Sequence, residues 1–454
     1  MNCFEASLVL RRIGFLAVLL VLAAVPAFAQ EEAAIDSGNT AWILVSTAFV
    51  IMMTAPGLAL FYGGLVSQRN VLSTLMHSFF ALCFISIHWV LIGYTLSFGD
   101  DVNQFIGGLN YFGLQGIGYE DVAPGLTIPH LLWVMFQGTF AIITFALISG
   151  AIAERMTFGA YVIFMLLWTT IVYAPLCHWV WGGGWLGPGG LWGESHALDF
   201  AGGTVVHISS GFSALVACML VGKRNGFPNS IKPPHSIVLT LIGAALLWVG
   251  WFGFNAGSAL AADGLAALAF INTNTAAAAG GLTWALIEWI TNGKPTLLGC
   301  ATGAVAGLVG ITPAAGWVEV LPSIVIGVGA GVVSFIGVNT LKPMFGYDDS
   351  LDVFGVHGLA GTWGAIATGI FATVGAEGLI AGNANQVWIQ FVSVVAAAAW
   401  AGVWTFIFLK VIGLFMPLRV AEQDETMGLD LSVHGEVAYN HADTGMSPIG
   451  SYRE

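Results

Sequence analysis

Eleven long apolar segments constrain what this chain can fold into more than any other feature. Each has about 20 or more mostly apolar residues, the length that crosses a bilayer as an α-helix. They occupy residues 40–66, 71–98, 129–153, 158–181, 201–222, 235–262, 265–291, 297–315, 320–341, 354–374 and 388–417. Only 8% of the 454 residues are charged, whereas a soluble domain carries about 25%. We therefore predict an all-α polytopic membrane protein with eleven transmembrane helices.

The distribution of Lys and Arg predicts the orientation of these helices. Basic residues are retained in cytoplasmic loops. Beyond the N-terminal leader, every base lies at or beyond the end of an odd-numbered segment, and the loops after even-numbered segments carry acids without a base. The bases are Arg69, Arg155, Lys223, Arg224, Lys232, Lys294, Lys342, Lys410, Arg419 and Arg453. We expect the mature N-terminus outside and the C-terminus inside.

The two ends of the chain differ from this apolar body. Arg11 and Arg12 precede an apolar run that closes on Ala27-Phe28-Ala29, a pattern typical of a cleaved secretory signal. We interpret residues 1–29 as a signal peptide, with a first transmembrane helix as the alternative. Residues 30–418 then form the transmembrane domain in a bacterial inner (plasma) membrane. Residues 419–454 form a polar cytoplasmic tail that is either regulatory or disordered.

Segments five and ten begin alike and each contains a histidine. Asp199 starts a D-x-x-G pattern that reaches His207, and Asp352 starts another that reaches His357 from the opposite face. This favours two inverted repeats of five helices with the last helix as an addition. His207 and His357 lie ~12 Å and ~8 Å along their helices. We predict a central histidine pair, the alternative being imidazoles that only join helices.

The two aspartates have an ordinary structural role available to them. A carboxylate at a helix start accepts hydrogen bonds from free backbone N–H groups, and the positive helix end favours its charge. We expect Asp199 and Asp352 to cap the helices that bear the histidines. Direct contact between Asp199 and a substrate is the alternative.

Aromatic residues are concentrated on the predicted outer side. The set comprises Trp181, Trp251, Phe252 and Phe254. Aromatic belts are common at membrane interfaces, but ring faces also attract cations, and Ser258 adds a hydroxyl acceptor. Phe136 and Phe140 share a helix face at i,i+4 spacing. They either plug a narrow conduit or pack in the core.

The sequence lacks the motifs of common enzyme classes. HExxH, a Walker A loop, the Gx-Ser-xG elbow and paired cysteine ligands are all absent. A transport protein is therefore the better interpretation, and no cofactor or metal is predicted. A metalloenzyme built on the two histidines is a distant alternative, because no third ligand lies at a matched depth.

Several stretches resemble the Amt/Mep/Rh ammonium transporter family. They are Asp199-Phe-Ala-Gly-Gly through Gly222-Lys-Arg224, PGLALFYGGLVSQRNVLS, FQGTF, residues 243–259, LLGCATGAVAGLVGITPAAG, DVFGVHG and GLDLSVHGEVAY. The resemblance implies a homotrimer of eleven-helix protomers, each with its own pore. Trp181 is typical of the ammonium-transporter branch rather than the Rh branch.

The resemblance also implies roles for individual residues. It assigns Trp181, Phe140, Ser258 and Asp199 to an outer ammonium site, Phe140 and Phe254 to a gate, His207, His357 and Thr204 to the pore, and Phe136, Trp251 and Asp352 to supporting positions. Ammonium would be recruited outside, deprotonated, and passed inward as ammonia with or without its proton.

The same resemblance implies partners beyond the substrate and the lipid bilayer. A PII-type regulatory protein is expected at the cytoplasmic face, and no nucleic acid is expected. The tail would dock on neighbouring protomers and take part in gating. The alternative functions are a neutral gas channel of the Rh type and an ammonium sensor that acts through a partner.

Overall fold

The computed structural model describes residues 34–439. The predicted signal peptide and residues 440–454 of the tail lie outside this range. Each of the eleven apolar segments is helical. The helices are α1 (Ser37–Leu65), α2 (Gln68–Phe98), α3 (His130–Ile152), α4 (Phe158–Trp181), α5 (Gly203–Val221), α6 (Ile237–Ala256), α7 (Gly264–Asn292), α8 (Leu297–Ile311), α9 (Val320–Phe345), α10 (Phe354–Leu359 continued by Ala360–Phe371) and α11 (Asn385–Phe415).

Nine of the helices within residues 34–439 are long and apolar enough to cross a membrane, and α8 is a shorter apolar helix. The prediction of a mostly helical, multi-pass membrane protein is confirmed at this level. The count of eleven spans and the orientation of the termini stay predictions. Helix α3 is the most enclosed of the long helices, because 83% of its most apolar 18-residue stretch is buried. It therefore carries its aromatic residues into the interior.

The chain is not entirely helical. The loop after α2 contains two short antiparallel strands, β1 (Asp101–Val102) and β2 (Ile106–Gly107). Single 3₁₀ turns occur at Phe112–Leu114 and Leu379–Ala381. Strands of two residues are too short to produce an alternating apolar pattern, which is why the sequence did not predict this hairpin.

Helices α5 and α10 make close contact where the histidines lie. A Cβ atom at Gly211 would collide with the backbone of Gly358, so Gly211 needs to lack a side chain. Both helices open with a π-helical turn, Gly203–Ile208 and Phe354–Leu359, and each turn contains one histidine. Such turns are frequent at functional sites, and here they bring two backbones together beside the imidazoles.

The described part of the tail is folded against its own chain. It forms α12 (Glu422–Met427) and α13 (Leu429–His434). Asp430 Oδ1 accepts from the backbone N of Ser73 at 2.8 Å, and the backbone N of Leu429 donates to Asn70 Oδ1 at 2.8 Å. For residues 419–439 the disordered alternative is therefore wrong.

A buried ionic network lies at the end of the molecule predicted to be cytoplasmic. Arg224 contacts Asp348 and Glu154, each at 2.8 Å. Burial alone would raise the pKa of Glu154, but the charge of Arg224 and hydrogen bonds from Asn70 and Ser67 outweigh it and lower that pKa. The pKa of Asp348 is lowered in the same way, because Arg224 outweighs the effect of burial.

Candidate functional site

An aromatic vestibule lies between the ends of α3, α4 and α6 and the loop before α5. Its cavity measures about 390 Å³, and Trp181, Phe140, Ser258 and Asp199 all line it. The four residues that the sequence assigned to the outer site are thus brought together. Trp133 and Gln137 of α3 also line the cavity, and nothing in their spacing distinguished them from core residues.

Trp181 ends α4 and is fixed from two sides. Its indole Nε1 donates to the backbone carbonyl oxygen of Asp199 at 2.9 Å. Its ring meets Phe140 edge to face, with centroids 5.9 Å apart. Ser258 Oγ donates to the backbone carbonyl oxygen of Phe254 at 2.8 Å. Because that bond uses the hydroxyl proton, the oxygen of Ser258 keeps free lone pairs for an N–H donor.

Two stacked rings close the inner end of the vestibule. Phe140 and Phe254 lie with centroids 4.3 Å apart and planes within 19°. Phe136 packs against Phe140 at 5.1 Å and is fully buried. The pair that the resemblance assigned to a gate is therefore in contact, and Phe136 supports it from behind.

The two histidines meet directly beyond this stack. The Nδ1 atoms of His207 and His357 lie 3.2 Å apart, and both imidazoles are buried. The ring of Phe254 lies 6.1 Å from that of His207, and Trp251 stacks on His207 at 5.5 Å. Trp251 is held in turn by a 2.9 Å hydrogen bond to Thr312. The histidine pair predicted from two matching segments is present, although Trp251 lies beside it rather than in the vestibule.

Asp199 binds the start of α5. Its Oδ1 accepts from the backbone N–H groups of Gly202 and Gly203, and its Oδ2 accepts from those of Thr204 and Val205, at 2.6–3.1 Å. Burial raises the pKa of the Asp199 carboxyl, and these four hydrogen bonds act in the opposite direction. The capping role expected of Asp199 is confirmed.

The expected cap of α10 was assigned to the wrong residue. The backbone N of Phe354 donates to Asp349 Oδ2 at 2.7 Å. Asp352 accepts instead from Lys342 Nζ at 2.6 Å. The D-x-x-G match was misleading, because the informative spacing is the eight residues that separate Asp199 from His207 and Asp349 from His357. Burial raises the pKa of Asp349 to about 6.

Some polar atoms around the histidines have no partner within residues 34–439. They include Thr204 Oγ1 and His207 Nε2. Buried polar groups are normally hydrogen-bonded, so these atoms are available to a polar molecule that enters the space between the helices. The pore-side position that the resemblance implies for Thr204 stays a prediction.

The comparisons with known proteins agree with this geometry. The model of the ammonium transporter family matches residues 41–439. The ammonium transporter of Bacillus subtilis strain 168 is 54% identical over 407 residues, which cover 88% of this chain and 98% of that protein. The chain belongs to the ammonium transporter family. The resemblance inferred from the sequence motifs is thus confirmed.

Solved structures of the ammonium transporter family have the same fold. The crystal structure of Saccharomyces cerevisiae Mep2 is similar with a TM-score of 0.79 and 36% identity, covering 87% of this chain and 89% of that one. A sensor Amt protein is similar with a TM-score of 0.80 and 27% identity, covering 87% and 98%. Membership of the ammonium transporter family indicates a transport protein rather than an enzyme.

Proposed function

We propose that this protein carries ammonium inward across a bacterial inner membrane, recruiting the cation in the aromatic vestibule and conducting ammonia past the histidine pair. The observation that carries the proposal is one continuous series of ring contacts. It runs from Trp181 to Phe140, Phe254, His207 and His357, with successive centroids 4.3–6.1 Å apart. The proposed cation site, the apolar stack and the two imidazoles therefore follow one another in a single series of contacts.

Recruitment uses the vestibule walls. Ammonium offers four N–H donors and a positive charge, and the ring faces of Trp181 and Phe140 attract that charge by about 0.5–2 kcal/mol each. The oxygen of Ser258 accepts one N–H group, because its own proton is used elsewhere. Asp199 acts from behind, since its two oxygens already accept four backbone N–H groups. It orients α5 and adds negative charge near the site.

Selection occurs at the stacked rings. Carrying a cation into an apolar membrane interior costs roughly 3 to more than 10 kcal/mol, whereas a neutral molecule avoids most of this cost. Ammonium can release a proton and continue as ammonia, but potassium cannot. The stack of Phe140 and Phe254 therefore excludes potassium because of its permanent charge and not because of its size.

The histidine pair then offers both kinds of hydrogen-bonding group. A contact between two Nδ1 atoms holds only one proton, so one imidazole donates and the other accepts. The accepting ring must carry its own proton on Nε2, and the donating ring has a free lone pair on Nε2. Ammonia can donate to one ring and accept from the other, and the shared proton gives a route for proton transfer.

The remaining proposals concern assembly and regulation. We propose a homotrimer with one pore in each protomer, a removed signal peptide, and a PII-type protein that binds the cytoplasmic mouths. The tail would dock onto neighbouring protomers as well as onto its own chain, where Asp430 and Leu429 already make contacts. Eleven transmembrane spans in a 5+5 inverted arrangement would place His207 and His357 at one depth.

Methylammonium uptake tests the proposal together with current recording on purified protein in proteoliposomes. Uptake with an inward current supports electrogenic transport, and uptake without current supports a neutral gas channel of the Rh type. Saturable binding without uptake would overturn transport and leave a sensor, which is a role that a solved protein of the same fold carries in its name.

A further inference from the structure

A buried histidine outside the pore makes one hydrogen bond through each of its two ring nitrogens. The ring of His178 is fully buried in the last turn of α4. Its Nδ1 lies 3.0 Å from the backbone carbonyl oxygen of Ser97, and its Nε2 lies 2.9 Å from Asp101 Oδ1. The carbonyl oxygen can only accept. The hydrogen bond to His178 lowers the pKa of the Asp101 carboxyl. Both ring nitrogens of His178 therefore face oxygen acceptors, and the ring is held from two sides.

His178 joins three parts of the structure. Ser97 lies in the last turn of α2, Asp101 begins strand β1, and His178 belongs to α4. Two neighbouring hydrogen bonds strengthen the same junction. Trp179 Nε1 donates to the backbone carbonyl oxygen of Phe105 at 2.8 Å, and the backbone N of Trp185 donates to the backbone carbonyl oxygen of Gln104 at 3.0 Å. The hairpin is thus attached to the end of α4 on both sides.

The same turn of α4 carries the aromatic wall of the vestibule. Trp181 follows His178 by three residues, so the two side chains are neighbours on the helix surface. The backbone carbonyl oxygen of His178 also accepts from the N–H groups of Gly182 and Gly184, at 3.0 and 2.9 Å. A Cβ atom at Gly182 would collide with the carbonyl oxygen of Ser97. The end of α4 is therefore tightly held against the end of α2.

We propose that His178, held by Asp101, is a positioning residue for the outer ammonium site: it fixes the turn from which Trp181 reaches Phe140 and the carbonyl oxygen of Asp199. The role rests on the proposed function, because it sets the affinity of the recruitment step and not the passage through the pore. Neither His178 nor Asp101 lines the vestibule, so the effect passes through the backbone of α4.

Three single substitutions separate position from charge. Asp101→Ala removes both the acceptor and one negative charge. Asp101→Asn removes the same charge but keeps a partner, because its amide can donate to Nε2 of a neutral imidazole whose Nδ1 still donates to Ser97. Asp100→Ala removes a neighbouring surface charge that bonds Asn110 and not His178. All three variants lose one carboxylate. Only Asp101→Ala also loses the hydrogen bonds that the side chain makes to His178 and to the backbone N of Gln104, and an Asn side chain can keep both.

The first measurement is the concentration dependence of ammonium uptake in proteoliposomes. We expect Asp101→Ala to raise the half-saturating concentration roughly tenfold with a maximal rate within about twofold of wild type. Asp101→Asn and Asp100→Ala should stay within about twofold in both quantities. Equal increases in Asp101→Ala and Asp100→Ala, failure of Asp101→Asn to restore affinity, or a lower maximal rate alone would overturn the proposal.

The second measurement does not depend on transport. The indole N–H resonance of Trp181, assigned by its loss in Trp181→Phe, should shift in Asp101→Ala and keep its position in Asp101→Asn and Asp100→Ala. An unchanged resonance in Asp101→Ala would refute the positioning role even if uptake changed. If wild type moved no ammonium, the proposed transport would fail, while this resonance would still decide whether His178 and Asp101 position Trp181.

Discussion

At the scale of single residues, His207 and His357 are the groups whose removal most directly tests the pore. Replacing either by Ala removes one partner of the contact between the two Nδ1 atoms and one Nε2 group of the proposed pore. We expect ammonium uptake to fall by roughly 100-fold or more in His207→Ala and His357→Ala, as for the loss of a proton-transfer group.

The matched control is His88→Ala, which removes a buried membrane histidine bonded to Thr170. It should retain most of its uptake. Unchanged uptake together with unchanged potassium exclusion in both pore variants would contradict the role assigned to the pair.

Asp349 and Asp352 give a second test at this scale. Asp349→Ala removes a helix cap, which costs about 0.5–2 kcal/mol. Asp352→Ala removes a partly exposed ion pair to Lys342, which contributes about 0–1 kcal/mol. In detergent, the midpoint temperature of thermal unfolding should be lower for Asp349→Ala than for Asp352→Ala. Ammonium uptake should also be lower for Asp349→Ala, because α10 carries His357. The opposite order in both measurements would restore Asp352 as the inner counterpart of Asp199.

Residue spacing predicted the histidine pair better than it predicted the aspartates. Two histidines in similarly started segments pointed to one contact, and the 3.2 Å separation agrees. The cap was misassigned because the two D-x-x-G patterns pointed to Asp352. The equal spacing of eight residues from Asp199 to His207 and from Asp349 to His357 would have pointed to Asp349. His178 was missed altogether, since only the positions of Ser97 and Asp101 in space reveal that both ring nitrogens face acceptors.

At the scale of elements, the ionic network of Arg224, Glu154 and Asp348 predicts a pH dependence of stability. Folding lowers the pKa values of Glu154 and Asp348, so the folded protein binds fewer protons than the unfolded chain in acid. Their contribution to stability is complete above their ordinary pKa values, about 4, and is lost as the pH falls through the lowered values. The midpoint of thermal unfolding should therefore decrease below about pH 5.

Asp348→Asn isolates this effect, because the amide keeps an acceptor for Arg224 but cannot titrate. Its midpoint should depend less steeply on acid pH than that of wild type. Asp263→Asn, at the exposed start of α7 and outside the network, should follow the wild-type curve. Parallel curves for wild type and Asp348→Asn would mean that the network does not set the acid response.

Long helices were predictable from the sequence, and short elements were not. Runs of about 20 apolar residues have few alternatives to a helix in a bilayer, and all eleven runs fold as helices. The hairpin of β1 and β2 and the tail helices α12 and α13 depend on contacts made far along the chain, such as Asp430 with Ser73. No local pattern contains that information.

At the scale of the whole molecule, the central claim is that the pore selects by protonation and not by size. In the proposed mechanism the vestibule attracts the cation and the stack of Phe140 and Phe254 excludes ions; the ring of Phe254 contacts both Phe140 and His207. A pore that discriminated by radius would pass potassium nearly as well as ammonium. A pore that conducts only the deprotonated molecule would not pass potassium.

The most direct measurement compares ammonium with potassium on wild-type protein in proteoliposomes. The account predicts that methylammonium uptake is unaffected by a hundredfold excess of potassium and that potassium alone produces neither current nor flux above protein-free vesicles. A potassium current through the wild-type protein, or competition by potassium for uptake, would contradict it.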